Sequence, residues 1–279
     1  MIVDAHTHIF PEIICERRQR YFDGEPEFRI LYESPKSRLV TAENLVAQMD
    51  DQGIDMAVTF GFPWHRSEIF KAHNDYIMEA VSRYPDRLKG LCCLDVMADN
   101  AVEEVERCLN GGLSGVGELA FYQGGLEPDT LERLAPVMAI CRERRVPVLI
   151  HTNEPIGHVY PGKTPNTLSQ IYEMVQRFPE NIIILAHWGG GLFFYLLMKK
   201  EVRQTLDNVY FDTAASPFLY TPRIYPISVA IAGAQKFLWG TDYPLIKPER
   251  YFSEIAESGL SDAEKKQVLG NNAVRLFRL

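Results

Sequence analysis

The chain has 279 residues, 46% of them hydrophobic and 24% charged, and 29 basic against 37 acidic side chains give a formal charge of −8. This is the composition of an ordinary globular chain, long enough to bury a sizeable core without disulfides or structural metals. The acidic balance argues against a nucleic-acid partner, because that affinity rests on Lys and Arg neutralising phosphates.

In chain order, short apolar runs suited to strands fall at residues 2–8, 54–62, 88–96, 115–121, 146–152, 182–188, 209–213 and 236–242. Most are too uniformly apolar for a half-exposed antiparallel strand. Segments of helical period lie between them. Thr41 caps a helix over 43–52 that Gly53 closes. The next, 68–83, stops before Pro85, and 102–109 stops at Gly111 and Gly112. Helices 129–145 and 167–177 end at Pro147 and Pro179, and four more are predicted at 192–206, 222–232, 248–258 and 262–277. Strand then helix, repeated along the whole chain, predicts an α/β fold of the (β/α)8 TIM-barrel type in one domain, 1–279. The alternative, an open doubly wound sheet, lacks a G-x-G-x-x-G after the first strand and any P-loop. Two long connections, 10–40 and 153–166, follow the first and fifth strands. In a barrel they lie at the C-terminal face and are candidates for covering a substrate.

The five cysteines, Cys15, Cys92, Cys93, Cys108 and Cys141, contain no C-x-x-C pair and read as thiols in a reducing compartment. The opening MIVDAHTHIF has neither the basic nor the apolar region of a signal peptide. No run reaches the about 18 apolar residues needed to span a bilayer. A cytoplasmic protein with no membrane partner is expected.

The histidines carry the chemistry. His6 and His8 are two apart on the first strand, so they share a face and make half of a divalent metal site. Glu118 in GVGELAF, His151 in VPVLIHT, His187 in IIILAHW and Asp242 in KFLWGTD each end an apolar run on another strand. Polar groups there are costly unless they pair or bind something. Together they predict a site at one end of the barrel.

DAHTHIF at 4–10, LIHTNEP at 149–155, LAHWGGG at 185–191, LWGTDYP at 238–244 and LGNNAVRLF at 269–277 resemble the amidohydrolase superfamily. The resemblance is to its amidohydrolase-related group, which includes aminocarboxymuconate semialdehyde decarboxylase. It implies that His6, His8, His151 and Asp242 bind a divalent metal, zinc or manganese, and that His187 is catalytic or ligates a second ion. It also implies that Asp242 takes a proton from metal-bound water. The segment around Glu118 looks similar to deoxyribonucleases of the superfamily, where such a Glu bridges two metals. The alternative is a Glu held by a neighbouring cation.

The expectation drawn from this set is a zinc-dependent hydrolase with one or two ions, acting on a small ester, lactone or amide. Asp242 and His187 are the catalytic residues. The alternatives are a non-hydrolytic decarboxylase of an unsaturated or aromatic acid, and a phosphodiesterase or nuclease. The partner expected is a small-molecule substrate, and a homo-oligomer is left open. His158, Tyr220 and Arg223 are candidate substrate-binding residues, Arg223 because a guanidinium suits a carboxylate. Trp64 and His65 either line the pocket or pack the loops, and His73 reads as structural. The run Gly189 to Gly191 suits close packing better than phosphate binding.

Overall fold

Eight parallel strands form in the computed structural model, which describes residues 1–198 and 200–279: β1 (Val3–His8), β2 (Met56–Phe60), β3 (Leu88–Gly90), β4 (Val116–Leu119), β5 (Val148–Ile150), β6 (Ile183–Leu185), β7 (Val209–Asp212) and β8 (Phe237–Leu238). Their order is β1-β2-β3 in one ladder and β4-β5-β6-β7-β8 in another. Two parallel bridges join the ladders, Cys92 with Val116 and Thr7 with Tyr243. The second is reinforced where Ala5 N–H donates to the Trp239 carbonyl at 2.8 Å and Asp242 N–H to the His6 carbonyl at 2.9 Å. The sheet therefore closes on itself, as a (β/α)8 barrel requires.

Alternation along the strands sorts the core into two layers. Val3, Ala5, Val58, Phe60, Leu91, Cys93, Leu149, Ile184, Ala186 and Leu238 fill the barrel, with Leu276 and Phe277 among them. Ala57, Leu88, Val116, Val148, Ile183 and Phe211 face the helical shell instead. The strands are shorter than the apolar runs that encode them. Their ladders shift register between Asp4 and Thr7 and between Val116 and Leu119, and beyond the regular strands single backbone hydrogen bonds, such as His151 N–H to the Leu119 carbonyl and Ala186 N–H to the Ile150 carbonyl, carry the pairing on.

The shell helices follow their start and stop signals. Thr41 and Asn44 form a capping box on Ala42–Gln52, and Gly53 ends it at φ 68°. Thr167 and Gln170 repeat the device on Leu168–Arg177. The helix predicted over 192–206 does not form as one piece. Short helical turns run over His187–Leu197 and a separate helix over Lys200–Thr205. The break inside the predicted span falls at Met198, whose backbone is extended (φ −76°, ψ −158°), while the left-handed residues Trp188 to Gly191 lie ahead of it. Connection 10–40 contains the helices Glu12–Arg17 and Pro26–Tyr32, whereas 153–166 has no regular element. No helix among the described residues is long and apolar enough to cross a membrane.

Candidate metal centre

All six predicted donors meet at the C-terminal mouth of the barrel. Ligand atoms of His6, His8 and Glu118, of His6, His187 and Asp242, and of Glu118, His151 and His187 lie within 4.8 Å of one another in each group. His6 and His8 end β1, Glu118 is on β4, and His151 and His187 lie just past β5 and β6. Asp242 follows β8 in the turn bonded back to β1. His187 and Asp242 sit at φ 56° and 60°. Left-handed backbone at non-glycine residues is strained, and such strain persists where the surroundings fix it, commonly at functional sites.

The rings are aimed from outside the cluster. His6 Nδ1–H donates to Asp212 Oδ2 at 2.8 Å, and His8 Nδ1–H to the Gly61 carbonyl at 3.1 Å. His187 Nδ1–H donates to the Ala214 carbonyl at 3.1 Å, and His151 Nε2–H to the Gly162 carbonyl at 3.0 Å. Each histidine thus turns its other ring nitrogen inward, towards carboxylate oxygens. His151 Nδ1 is 2.9 Å from Glu118 Oε1, and His187 Nε2 is 3.4 Å from the same oxygen. Glu118 Oε2 is 3.7 Å from both His6 Nε2 and His8 Nε2. Asp242 Oδ1 is 3.7 Å from His6 Nε2 and 3.4 Å from His8 Nε2.

A ring nitrogen opposed to a carboxylate repels it unless a proton or a metal cation stands between them. The His6 Nε2 atom is fully buried and has no hydrogen-bond partner among the described residues. Gaps of this size suit two donor bonds of about 2.1 Å meeting at one ion. The donor set therefore fits a divalent cation held by imidazoles whose far nitrogens are fixed by hydrogen bonds.

The electrostatics carry the same signature. Burial disfavours a charged His6, but Asp212 and Glu118 outweigh it and raise its pKa to about 10. His187 is likewise raised to about 9 by Glu118 against burial. Burial alone would raise Glu118 and Asp242; instead His151 and His6 hold Glu118 well below its usual range, and His8 and His6 bring Asp242 to about 2. The site is a trap for positive charge.

Asp212 was not among the sequence candidates, although it ends its strand after the same kind of apolar run. Its Oδ1 accepts from the backbone N–H of His187 and of Ala214, at 2.9 and 3.0 Å, while Oδ2 holds His6. Asp4, another omission, binds Thr241 through both oxygens and so secures the turn before Asp242. Tyr32 and Tyr122, near the cluster, carried no pattern that singled them out.

Of the substrate-binding candidates, His158 and Arg223 are exposed and Tyr220 is half-buried. Lys163 pairs with Glu154 at 3.0 Å. Trp64 is fully buried and donates to His73 Nδ1 at 2.9 Å, while His73 Nε2–H donates to the Ile9 carbonyl at 2.7 Å. Both belong to the packing. Gly189 and Gly190 press on Phe211 and on the Asn153 carbonyl, so the glycine run serves close approach.

A closed parallel barrel with imidazoles and carboxylates converging at the C-terminal ends of its strands defines the class of metal-dependent barrel enzymes. The chain belongs to the amidohydrolase family, whose profile matches residues 3–279. It is 23% identical over 296 residues to gamma-resorcylate decarboxylase of Polaromonas sp., covering 88% of this chain and 90% of that one. Its fold matches 5-carboxyvanillate decarboxylase of Novosphingobium aromaticivorans, solved with manganese and 4-hydroxy-3-methoxy-5-nitrobenzoic acid: TM-score 0.77, 17% identity, covering 100% and 96% of the two chains. It also matches a dihydroxybenzoic acid decarboxylase from Polaromonas sp. with bound manganese and 2-nitroresorcinol: TM-score 0.73, 18% identity, covering 100% and 97%.

These relatives overturn the expected hydrolysis of an ester, lactone or amide, because they are decarboxylases. The misreading has a physical origin: one set of imidazole and carboxylate donors around a divalent ion is compatible with either reaction. The expectation of zinc likewise finds no support beside the manganese of the two solved structures.

Proposed function

We propose that this chain is a divalent-metal-dependent, non-hydrolytic decarboxylase of a hydroxylated aromatic acid, built on one barrel domain. The observation that carries the reading is the nearly full-length similarity to gamma-resorcylate decarboxylase. The ion, with manganese as first choice, is held by His6, His8, His151 and Asp242, with Glu118 as a further ligand. When bound, it supplies Lewis acidity that lowers the pKa of an oxygen acid it touches.

Loss of carbon dioxide sends the electron pair of the breaking C–C bond into the ring, so the ring carbon must gain a proton. Asp242, kept as a carboxylate, accepts the substrate's hydroxyl proton and returns it to that carbon. His187, anchored through Nδ1 to Ala214, keeps Nε2 turned inward to hold a substrate oxygen. Burial of the cluster limits water.

The test is to load the purified protein with manganese and offer a panel of mono- and dihydroxybenzoates. Carbon dioxide released in step with substrate loss is the expected result; an unreactive panel sinks the proposal. Metal bound per chain should fall in Glu118→Ala, and unchanged metal content removes Glu118 from the ligand set.

A further inference from the structure

The connection after β5, 153–166, has no regular element, yet side chains stitch it three times. His151 Nε2–H donates to the Gly162 carbonyl at 3.0 Å. Asn153 Oδ1 accepts both the backbone N–H and the hydroxyl of Thr164, at 2.8 and 2.7 Å. Lys163 Nζ donates to Glu154 Oε1 at 3.0 Å, and the Tyr160 hydroxyl donates to Glu154 Oε2 at 2.8 Å. The two residues after Gly162 are thus tied to Asn153 and Glu154, which follow closely on His151.

The first of these contacts decides how His151 meets a metal. A neutral imidazole carries one N–H, and the nitrogen that donates it cannot also hold an ion. Donation from Nε2 leaves Nδ1, which lies 2.9 Å from Glu118 Oε1 and 3.2 Å from His187 Nε2, inside the cluster. The acceptor that sets this choice is a backbone carbonyl in an irregular loop, at a glycine with φ 95°. Neither a ladder nor a helix holds that carbonyl. The ion pair of the next residue does. The Lys163 and Glu154 side chains are only 15% and 17% exposed, and Lys163 Nζ also donates to the Ile156 carbonyl at 3.2 Å. A largely enclosed ion pair adds little stability over an apolar pair of the same size, but removing one partner leaves the other charge uncompensated. What such a pair supplies is a fixed geometry.

We infer that Lys163 and Glu154 are positioning residues for the metal centre: their ion pair holds the Gly162 carbonyl where it fixes the ring and the metal-facing nitrogen of His151. This rests on the metal-dependent reading above, with His151 as a ligand, and adds to it two side chains outside the donor set. Lys163 is engaged within the loop rather than offered to a substrate carboxylate. Loss of a group that orients a metal-binding histidine typically costs about 10- to 100-fold in metal affinity.

The test is a double-mutant cycle on manganese affinity, read by competition with a chelator. Lys163→Met should weaken binding about 10-fold or more, and Lys163→Arg, which keeps the charge, should restore most of it. His151→Ala should weaken binding as well. Adding Lys163→Met to it should cost nothing further, because the lysine acts through that ring. A full additional fall in the double variant overturns the inference. So does a Lys163→Met protein with a lowered melting temperature but unaltered affinity, the sign of a merely structural pair. If His151→Ala leaves the affinity unaltered, His151 is no ligand and the inference falls, while the decarboxylase reading stands on the remaining donors. Wild-type protein that binds no manganese sinks both. Should Lys163→Met fold poorly, Glu154→Gln keeps the size of the side chain and removes its charge, and the same cycle with His151→Ala decides.

Discussion

Asp212 controls two histidines on different strands. One oxygen receives the His6 imidazole N–H, and the other receives the His187 backbone N–H. Removing it leaves a buried imidazole donor unpaired and frees the His6 ring to turn. Loss of such an orienting partner typically costs 10- to 100-fold in metal affinity. Asp212→Ala should show that fall in competition with a chelator, and unaltered affinity would mean that His6 is oriented by packing alone. The six donors were readable because each breaks an apolar run at a strand end. Asp212 gave the same signal inside FDTAA and was passed over, since nothing in the sequence distinguishes a ligand from the group that aims it. Tyr32 and Tyr122 were less legible still. An aromatic residue in a loop looks the same whether it packs or meets a substrate, and only the fold brings those two rings together.

At the scale of an element, the helix Pro26–Tyr32 belongs to the long connection after β1 and brings Tyr32 near Glu118 and Asp242. Its first turn is tied down by His65, which bonds Glu27 Oε2 at 2.6 Å and Asp95 Oδ2 at 2.8 Å. Glu25 beside it accepts the backbone N–H groups of His65 and Arg66, at 3.0 and 2.9 Å. The Asp95 hydrogen bond raises His65 to about 9, against partial burial and with help from Glu27. A folded-state pKa above the unfolded value of 6.5 stabilises the folded form fully below 6.5, and this is lost as the pH rises through about 9. Hydrogen exchange in residues 26–32 should therefore accelerate between about pH 6.5 and 9 beyond the intrinsic rate. His65→Gln should remove that extra step; a step that persists places the titrating group elsewhere. The sequence left His65 between pocket and packing because both carboxylates that hold it come from other loops. The capped helices were legible for the opposite reason: their start and stop signals are local. Helix 192–206 is interrupted at Met198, where extended backbone overrides an apolar, helix-like composition.

For the molecule as a whole, alternation of strands and helices revealed the barrel because each strand is followed by its own helix. The reaction was not legible in the same way. A histidine and carboxylate cluster has one appearance for hydrolysis and for decarboxylation, and the difference resides in the loops above it. Phe194, Tyr195, Leu197 and Met198 form an exposed apolar stretch after the glycine run. It neither adds to the cluster nor decides the oligomeric state that the sequence left open. If the cluster holds its ion as proposed, chelation should lower the melting temperature, and restoring manganese should recover it by mass action. A melting temperature indifferent to chelator would show that the cluster carries no resident ion.

The bridge between Thr7 and Tyr243 has a consequence for the newborn chain. His6 on β1 leaves the ribosome well before Asp242, which follows β8. Bringing such distant partners together is slow, since long-range pairing costs entropy before contacts repay it. Metal loading should therefore await synthesis of β8 and the turn that carries Asp242. A nascent chain arrested at residue 236, before β8, is expected to retain far less manganese than the released protein, as measured on isolated ribosome complexes. Equal retention would place metal capture ahead of barrel closure.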